Sequence, residues 1–405
     1  MTDNEIKSES ERAQGSKKSV AVIIVAAGRG HRASKGLPKQ YENIFSKSVL
    51  NHTIKSFTSC DTISTILCVI HPDDQRLYEK SIAPYDILPP VHGGPTRQDS
   101  AYLGLKAIEK FAPDIVLIHD AARPFIEANI IKTLIDTIAC GEKAALPAVP
   151  IVDSLKKADG DYVSSAADRE GLYRAQTPQA FSYGAILAAH QAAEGQELTD
   201  DIAVAAASGI QAKIIAGSEA AFKITHREDF KKAEHYLMMQ MNDIRVGKGY
   251  DVHKFEAGDH VWLCGVKLPH NMALKGHSDA DVAMHALTDA LYGALAEGDI
   301  GRHFPPTEAK WKGAASNIFL KHAAAMVSER GGMIANVDLT IICEAPKVSP
   351  HADAMRASLA AIMDMDISRI SVKATTTEKL GFTGRGEGIA AEAIATVRLP
   401  MGDTT

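Results

Sequence analysis

Three residues can be read as metal ligands from their type and spacing. Asp251 and His253 lie two apart in Gly249-Tyr-Asp-Val-His253, which continues an apolar, strand-like run. Side chains two apart on a strand point to the same face, so this carboxylate and imidazole converge. Further on, Gly276-His-Ser-Asp-Ala-Asp-Val-Ala-Met-His285 places His285 four residues after Asp281, one turn along the same side of a helix. Ser278 with Asp281 is a capping-box spacing and predicts a helix starting there. Asp251, His253 and His285 form a nitrogen and oxygen donor set with a fourth position left for substrate, the composition of a catalytic zinc site. Each also has a plainer reading: Asp281 as a helix cap, His285 as a packed or surface side chain, Asp-x-His as an ordinary strand pair.

A second chemistry is suggested by the loop Ala26-Ala-Gly-Arg-Gly-His-Arg-Ala-Ser-Lys-Gly-Leu-Pro-Lys39-Gln40, which follows a short β-branched run. Glycines let backbone N–H groups approach a phosphate, and basic side chains complete the cradle. The loop is not a Walker A sequence, and Ala33 stands where a G-x-G-x-x-G loop needs its third glycine. On these residues alone an ordinary tight turn is an equal reading. Asp120, at the end of the apolar run 115–118 and followed by Ala-Ala-Arg123-Pro124, sits where α/β sheets place their ligand crevice. A turn or cap residue would look the same.

The elements that must carry these residues alternate. Apolar runs at 19–25, 65–70, 115–118, 144–149 and 211–215 are separated by helical stretches such as 100–111 and 126–138. That pattern predicts a mostly parallel sheet covered on both faces. A helical stretch at 227–241 closes this half, and a new strand begins near residue 244. The junction falls at about 241–243, dividing the chain into 19–242 and 243–405 behind a polar tail, 1–18, expected to be disordered. The second half has strands at 244–250, 261–263, 337–343, 369–374 and 392–399, with long helices at 278–296 and 316–330. This predicts a smaller α+β domain with helices on one face.

Composition excludes several classes. The 405 residues exceed one ordinary core and suit two domains. A net charge of −6 gives no global basic field for nucleic acid or a membrane surface. Cys60, Cys68, Cys140, Cys264 and Cys343 are scattered, with no C-x-x-C pair, which fits a reducing, cytoplasmic setting. No apolar run reaches the roughly 18 residues of a membrane helix.

The combination of motifs in the first half resembles the 2-C-methyl-D-erythritol 4-phosphate cytidylyltransferase family. It consists of Ala26-Ala-Gly-x-Gly-x-Arg32 with Pro38-Lys39-Gln40, His119-Asp-Ala-Ala-Arg-Pro124, Arg174-x-Gln-Thr-Pro-Gln179 and Lys223-Ile-Thr225. The resemblance implies a Rossmann-like nucleotidyltransferase fold. It also implies in-line attack of the substrate phosphate on the α-phosphate of CTP, with pyrophosphate leaving. By resemblance Arg32 and Lys39 stabilise charge on the α-phosphate and leaving group, Lys223 joins them, and Asp120 organises the nucleotide and a Mg²⁺ ion. Gly94 and Ser100 contact the cytosine or ribose. Arg174, with Arg123 and Ser154 from a second subunit, holds the methylerythritol phosphate. The sequence departs from the family at Ser154, usually Thr, at Ala220 and Ala221, and in the basic stretch Arg29-Gly-His31.

The second half resembles 2-C-methyl-D-erythritol 2,4-cyclodiphosphate synthase. The matching residues are Tyr250-Asp-Val-His253, His277-Ser-Asp-Ala-Asp-Val-Ala-Met-His285, Gly298-Asp-Ile-Gly301, Ala345-Pro-Lys347 and Ala374-Thr-Thr-Thr-Glu378-Lys-Leu-Gly-Phe382-Thr-Gly-Arg385-Gly-Glu-Gly388. That family's reaction is an internal attack by the substrate's terminal phosphate, with CMP leaving. By resemblance Asp251, His253 and His285 bind Zn²⁺ or another divalent ion, and Glu378 binds Mg²⁺ or Mn²⁺ on the diphosphate. Thr375, Thr376, Thr377, Ala345 and Lys347 hold the CMP portion, and His277, Ser278 and Asp299 position the rest. Phe382 and Arg385 belong to the central channel of a trimer. Pro306 stands where the family often has Asp. Trimeric second domains and dimeric first domains together imply a hexamer. An oxidoreductase is disfavoured by the missing third glycine, and a non-catalytic nucleotide sensor by the intact Arg32, Lys39 and Glu378.

Overall fold

The computed structural model describes residues 18–29, 36–45, 47–83, 85–276, 278–305, 308, 311 and 313–401. The expected tail up to residue 17, Arg32, His31, His277 and Pro306 therefore lie outside the described residues. The chain divides into two compact units, residues 1–236 and 237–405.

The first unit is built on an eight-stranded sheet. Val20–Ala26 pairs in parallel with Thr65–Ile70 on one side and Ile115–Asp120 on the other. Ala144–Pro150 pairs in parallel with Ala212–Ala216. Gln179–Ser182 runs antiparallel between Ile115–Asp120 and Ala144–Pro150, and Tyr173–Ala175 is antiparallel to Ala144–Pro150. The central strands are buried on both faces. Val22, Ile24 and Leu117 point into one apolar cluster, and Ala21, Ile23 and Val116 into the other. Apolar residues at every position are what two helical layers require. The helix Arg97–Ala107 starts earlier than the apolar pattern predicts, because Thr96 and Asp99 form a full capping box. An exposed hairpin of Leu155–Asp159 and Tyr162–Ala167 stands apart from this sheet.

In the second unit a five-stranded sheet has the order Met272–Leu274, Asp243–Ala257, Gly388–Leu399, Met333–Ile342, Ile370–Thr375. The first long strand runs to Ala257, so Asp251 and His253 lie inside it rather than beyond its end. Burial alternates along that strand, and its covered face carries Gly247, Gly249, Asp251 and His253. A Cβ on Gly247 or Gly249 would stand 1.9 Å from the carbonyl oxygen of Ala290 or Ala286. The missing side chains let the helix Val282–Leu295 lie directly on the strand. That helix begins four residues later than the Ser278 spacing predicts. Its cap is Asp281, whose carboxylate takes the N–H groups of Met284 at 3.0 Å, Cys264 at 2.9 Å and Gly265 at 2.6 Å. The tertiary contacts, not the local capping box, set the start. Burial pushes the Asp281 carboxyl up, and those three backbone donors oppose the shift. Helices Asn317–Glu329 and Ala352–Met363 complete the packed side. Arg398 donates to the carbonyls of Met238 and Met241 at 2.9 and 3.1 Å, which assigns the end of the Arg227–Gln240 helix to this unit.

Candidate active sites

In the first unit a cavity of about 280 Å³ opens at the carboxyl ends of the parallel strands, lined among others by Gly28, Lys39, Gly94, Ser100, Asp120 and Lys223. Five of the residues predicted for nucleotide chemistry are thus brought together from segments almost two hundred positions apart. Gln40 shapes the glycine loop by donating to the carbonyls of Ala26 at 2.7 Å and Gly28 at 3.0 Å. Lys39 Nζ donates to the carbonyl of Ile224 at 2.7 Å, tying the loop to the segment that bears Lys223.

Asp120 is the electrostatic centre. Its Oδ2 accepts from Lys223 Nζ at 2.8 Å, its Oδ1 from Arg97 Nε at 3.0 Å, and Arg123 Nε stands 3.9 Å away. Burial alone would raise this carboxyl, but Arg97 and then Lys223 hold it well below the usual carboxylate range. Arg97 is held from behind: its Nη1 donates to the buried Asp201 at 2.7 Å, and Asp201 in turn faces His190 at 3.1 Å. Sequence reasoning missed Arg97 and Asp201. Arg97 lies between Gly94 and Ser100, but nothing local pairs it with residue 201.

His119 is neutral and structural. Thr177 Oγ1 accepts from the Asp120 N–H at 3.1 Å and sits 3.1 Å from His119 Nδ1, while His119 Nε2 faces the Arg123 carbonyl at 2.9 Å. Thr177 therefore donates to Nδ1 and Nε2–H donates to the carbonyl. Burial lowers the His119 pKa to about 4.

The other predicted residues are placed differently. Arg123 turns its guanidinium onto the carbonyls of Ala221 at 2.9 Å and Ala175 at 3.3 Å. The departure at Ala221 thus falls where the main chain makes the contact. Arg174 is exposed and paired with Glu219, and Ser154 is exposed beside the hairpin. Arg29, one of the unusual basic residues, does not line the cavity. It binds Asp74 at 3.0 Å, Asp73 at 2.6 Å and His71 at 2.6 Å, fastening the loop to the next turn of chain.

In the second unit Asp251, His253 and His285 converge as their spacing predicts. His253 Nε2 lies 3.1 Å from both Asp251 Oδ2 and His285 Nδ1, and Asp251 Oδ2 lies 3.0 Å from His285 Nδ1. These atoms form a group that could hold a metal ion. Their chemistry, two imidazole nitrogens and one carboxylate oxygen, fits a divalent cation of borderline softness. Burial would raise the Asp251 carboxyl, but hydrogen bonds with His253 and His285 hold it far below its usual range. Burial opposes charge on His253, and its contacts with Asp251 outweigh that and raise its pKa. His253 Nδ1 faces the Lys275 carbonyl at 2.8 Å, which fixes Nε2 as the inward nitrogen.

Glu378 is not part of this group. It sits on the exposed loop after Ile370–Thr375, where its Oε1 accepts from Thr376 Oγ1 at 2.9 Å. That loop is stitched to Cys343 and Glu344, which immediately precede residues 345–347. Cys343 N donates to the Thr375 carbonyl at 3.1 Å, and Glu344 Oε1 accepts from Thr377 N at 3.2 Å and Lys379 N at 3.3 Å. Glu344 is another residue that motif spacing does not single out. Thr377 Oγ1 donates to the Leu380 carbonyl at 2.7 Å. Asp299 caps the short helix Ile300–His303. Arg385 pairs with Glu387 at 2.7 Å, and Phe382 is half-buried in the turn before it. Ser278 Oγ lies 3.0 Å from His285 Nε2, behind the metal-ligand candidate.

Fold and sites together define a class: a nucleotidyltransferase-type α/β unit followed by a metal-site α+β unit. Comparison with known proteins gives the family. Residues 20–239 match the model for 2-C-methyl-D-erythritol 4-phosphate cytidylyltransferase, and residues 244–398 match the YgbB family. The bifunctional enzyme IspD/IspF of Paramagnetospirillum magneticum is 52% identical over 94% of this chain and 98% of its own length. That of Rhodospirillum rubrum is 49% identical over 94% of this chain and 99% of its own. The solved structure of the bifunctional IspDF from Campylobacter jejuni is 31% identical, covers 94% of this chain and 98% of its own, and superposes with a TM-score of 0.46. The chain belongs to the bifunctional IspD/IspF enzymes.

Proposed function

We propose that this chain catalyses two reactions of isoprenoid precursor synthesis, one in each unit. In the first, a phosphate oxygen of 2-C-methyl-D-erythritol 4-phosphate attacks the α-phosphorus of CTP. The bond to the β-phosphate breaks, giving 4-diphosphocytidyl-2-C-methyl-D-erythritol and pyrophosphate. In the second, the 2-phosphate of the phosphorylated product attacks the phosphorus nearer the erythritol. The bond to CMP breaks, leaving 2-C-methyl-D-erythritol 2,4-cyclodiphosphate. The observation that carries this reading is that each unit gathers its own anion-handling group from distant segments: Lys39, Asp120 and Lys223 in one, Asp251, His253 and His285 in the other.

Phosphoryl and nucleotidyl transfer need charge neutralisation and alignment rather than a covalent nucleophile. Lys223, Lys39 and Arg32 are the cations we assign to the α-phosphate and leaving group. Asp120 orients Lys223 and, with a Mg²⁺ ion, the nucleotide. Gly94 and Ser100 border the base and ribose. Arg174, with Arg123 and Ser154 of a second copy, receives the methylerythritol phosphate. In the second unit Asp251, His253 and His285 would hold Zn²⁺, and Glu378 would hold Mg²⁺ or Mn²⁺. Bound there, these ions supply the positive charge that lets two phosphates meet. Thr375, Thr376, Thr377, Ala345 and Lys347 are the residues we assign to CMP, a reading supported by the hydrogen bonds that tie Glu344 to the loop carrying the threonines. His277, Ser278 and Asp299 position the diphosphate end.

We assign the first activity to residues 19–242 and the second to 243–405. We also propose a hexamer of dimeric first units and trimeric second units, with Phe382 and Arg385 on the trimer axis. Two exposed apolar surfaces support it: the hairpin side with Tyr162 at 82% and Val152 at 71% exposure, and the uncovered sheet face with Ile244 at 62% and Val246 at 64%. Light scattering that finds a stable monomer would refute the hexamer. The five unpaired cysteines support a cytoplasmic setting, and no helix among the described residues is long and apolar enough to cross a membrane.

Phosphorus NMR tests the activities. With CTP, methylerythritol phosphate and Mg²⁺ the expected new signal is pyrophosphate. With the phosphorylated cytidylyl intermediate it is a cyclic diphosphate plus CMP. A silent tube removes the corresponding assignment.

A further inference from the structure

The two histidines of the metal-ligand group are secured by different means. His253 gives its outer nitrogen to a main-chain carbonyl, that of Lys275. His285 points its outer nitrogen, Nε2, at two hydroxyls, Ser316 Oγ at 2.9 Å and Ser278 Oγ at 3.0 Å. Ser316 is completely buried. It precedes the Asn317–Glu329 helix and belongs to none of the motifs that carry the family resemblance. Its backbone N–H donates to Asp279 Oδ2 at 3.1 Å, and its hydroxyl donates to Asp279 Oδ1.

The direction of these bonds follows from the groups. A carboxylate only accepts, so the Ser316 hydroxyl hydrogen is committed to Asp279. What Ser316 offers His285 is a lone pair. Nε2 must then carry a proton, and Nδ1, which faces Asp251 Oδ2 at 3.0 Å, is the nitrogen whose lone pair an ion entering between Asp251 and His253 would take up in place of that hydrogen bond. Outer partners of this kind hold a metal-ligating ring in one tautomer and one orientation, and their loss typically weakens metal binding 10- to 100-fold.

We propose that Asp279 and Ser316 are positioning residues for the metal centre, acting through His285. Asp279 orients the Ser316 hydroxyl, Ser316 fixes the Nε2–H form of His285, and the Nδ1 lone pair is thereby preset for the ion. The proposal rests on the reading of Asp251, His253 and His285 as metal ligands. Because His253 is secured by main chain, side-chain substitution can loosen the site from the His285 side alone.

The test uses the full-length protein, stripped of metal and titrated with Zn²⁺ against a chromophoric chelator. Ser316→Ala is expected to bind roughly 10- to 100-fold more weakly than the parent, and Asp279→Asn to shift in the same direction by less. Two-bond proton–nitrogen NMR of the zinc-free and zinc-loaded protein gives a readout that general loosening would not move. His285 Nε2 should stay protonated in the parent with and without zinc, and lose that proton in part of the population in zinc-free Ser316→Ala. Zinc affinity within twofold of the parent in both variants, or an unchanged Nε2–H signal in Ser316→Ala, overturns the proposal. If Ser316→Ala does not fold, the same two measurements on Asp279→Asn decide. A parent protein that binds no zinc overturns the metal reading itself, and the proposal with it.

Discussion

The two sites handle phosphate anions with opposite devices. The cytidylyltransferase cavity keeps its cations covalently attached and crowds them around one carboxylate, Asp120, with Arg97, Lys223 and Arg123 all within 4 Å of its oxygens. In the second site the described residues bring together two imidazoles and a carboxylate, a group that could hold a metal ion. Fixed cations repel one another and need a buried counter-charge, which explains why Asp201 stands behind Arg97. A borrowed cation needs lone pairs aimed at an empty point, which explains why each ring is secured at its outer nitrogen. One site is held by ion pairs and the other by hydrogen-bond direction.

The largest expected effect breaks the borrowed-cation side. His285→Ala should lose metal and reduce cyclodiphosphate formation by about a thousandfold or more, since a catalytic cation supplies several kcal/mol. Metal content per chain and the CMP release rate measure it, and cytidylyl transfer should persist. Next, Lys223→Met removes one fixed cation and leaves Asp120 to Arg97 and Arg123. Loss of one such donor costs roughly 10²–10³ in kcat, measured as pyrophosphate release, with CMP release unchanged. Smaller again is Asp201→Asn. It removes the charge facing Arg97 Nη1 but leaves Asp120 on Nε, so the loss of stability should stay below the roughly 3–5 kcal/mol of breaking a buried pair outright. Thermal unfolding should show that loss in the first unit, with the second unaffected.

A further expected effect is a pH dependence of the first unit. His119 and His52 are each pushed by burial from an ordinary value of 6.5 to about 4. Between those values the unfolded chain binds protons that the folded unit refuses. Stability is therefore fully present above about pH 6.5 and lost progressively as pH falls towards 4, at up to about 1.4 kcal/mol per pH unit for each histidine. Denaturant unfolding from pH 7 to 5 checks it. Replacing His52 with Gln should flatten the slope.

What the sequence makes legible follows from range. The strand Thr65–Ile70 matches its apolar run residue for residue, because a doubly covered parallel strand is apolar at every position. Asp251 and His253 are legible from strand period alone. Their meeting with His285 depends on Gly247 and Gly249, whose bareness shows in the sequence but whose helix contact does not. Arg97 with Asp201, Glu344 with Thr377, and Asp279 with Ser316 are illegible because each pair is joined only by the fold. The hairpin at 155–167 escapes because its strands are exposed on both faces and carry no apolar alternation. The helix Ala352–Met363 lacks a capping side chain, but the spacing of Met355, Leu359 and Met363 does signal its buried face.

The central claim is that one chain carries two independent sites, one built on fixed cations and one on a borrowed ion. The most direct test is phosphorus NMR of both reactions with the parent protein, Lys223→Met and His285→Ala. The account predicts a double dissociation: pyrophosphate formation fails only in Lys223→Met, and cyclic diphosphate formation fails only in His285→Ala. Loss of both reactions in either variant, with the protein still folded, would contradict it.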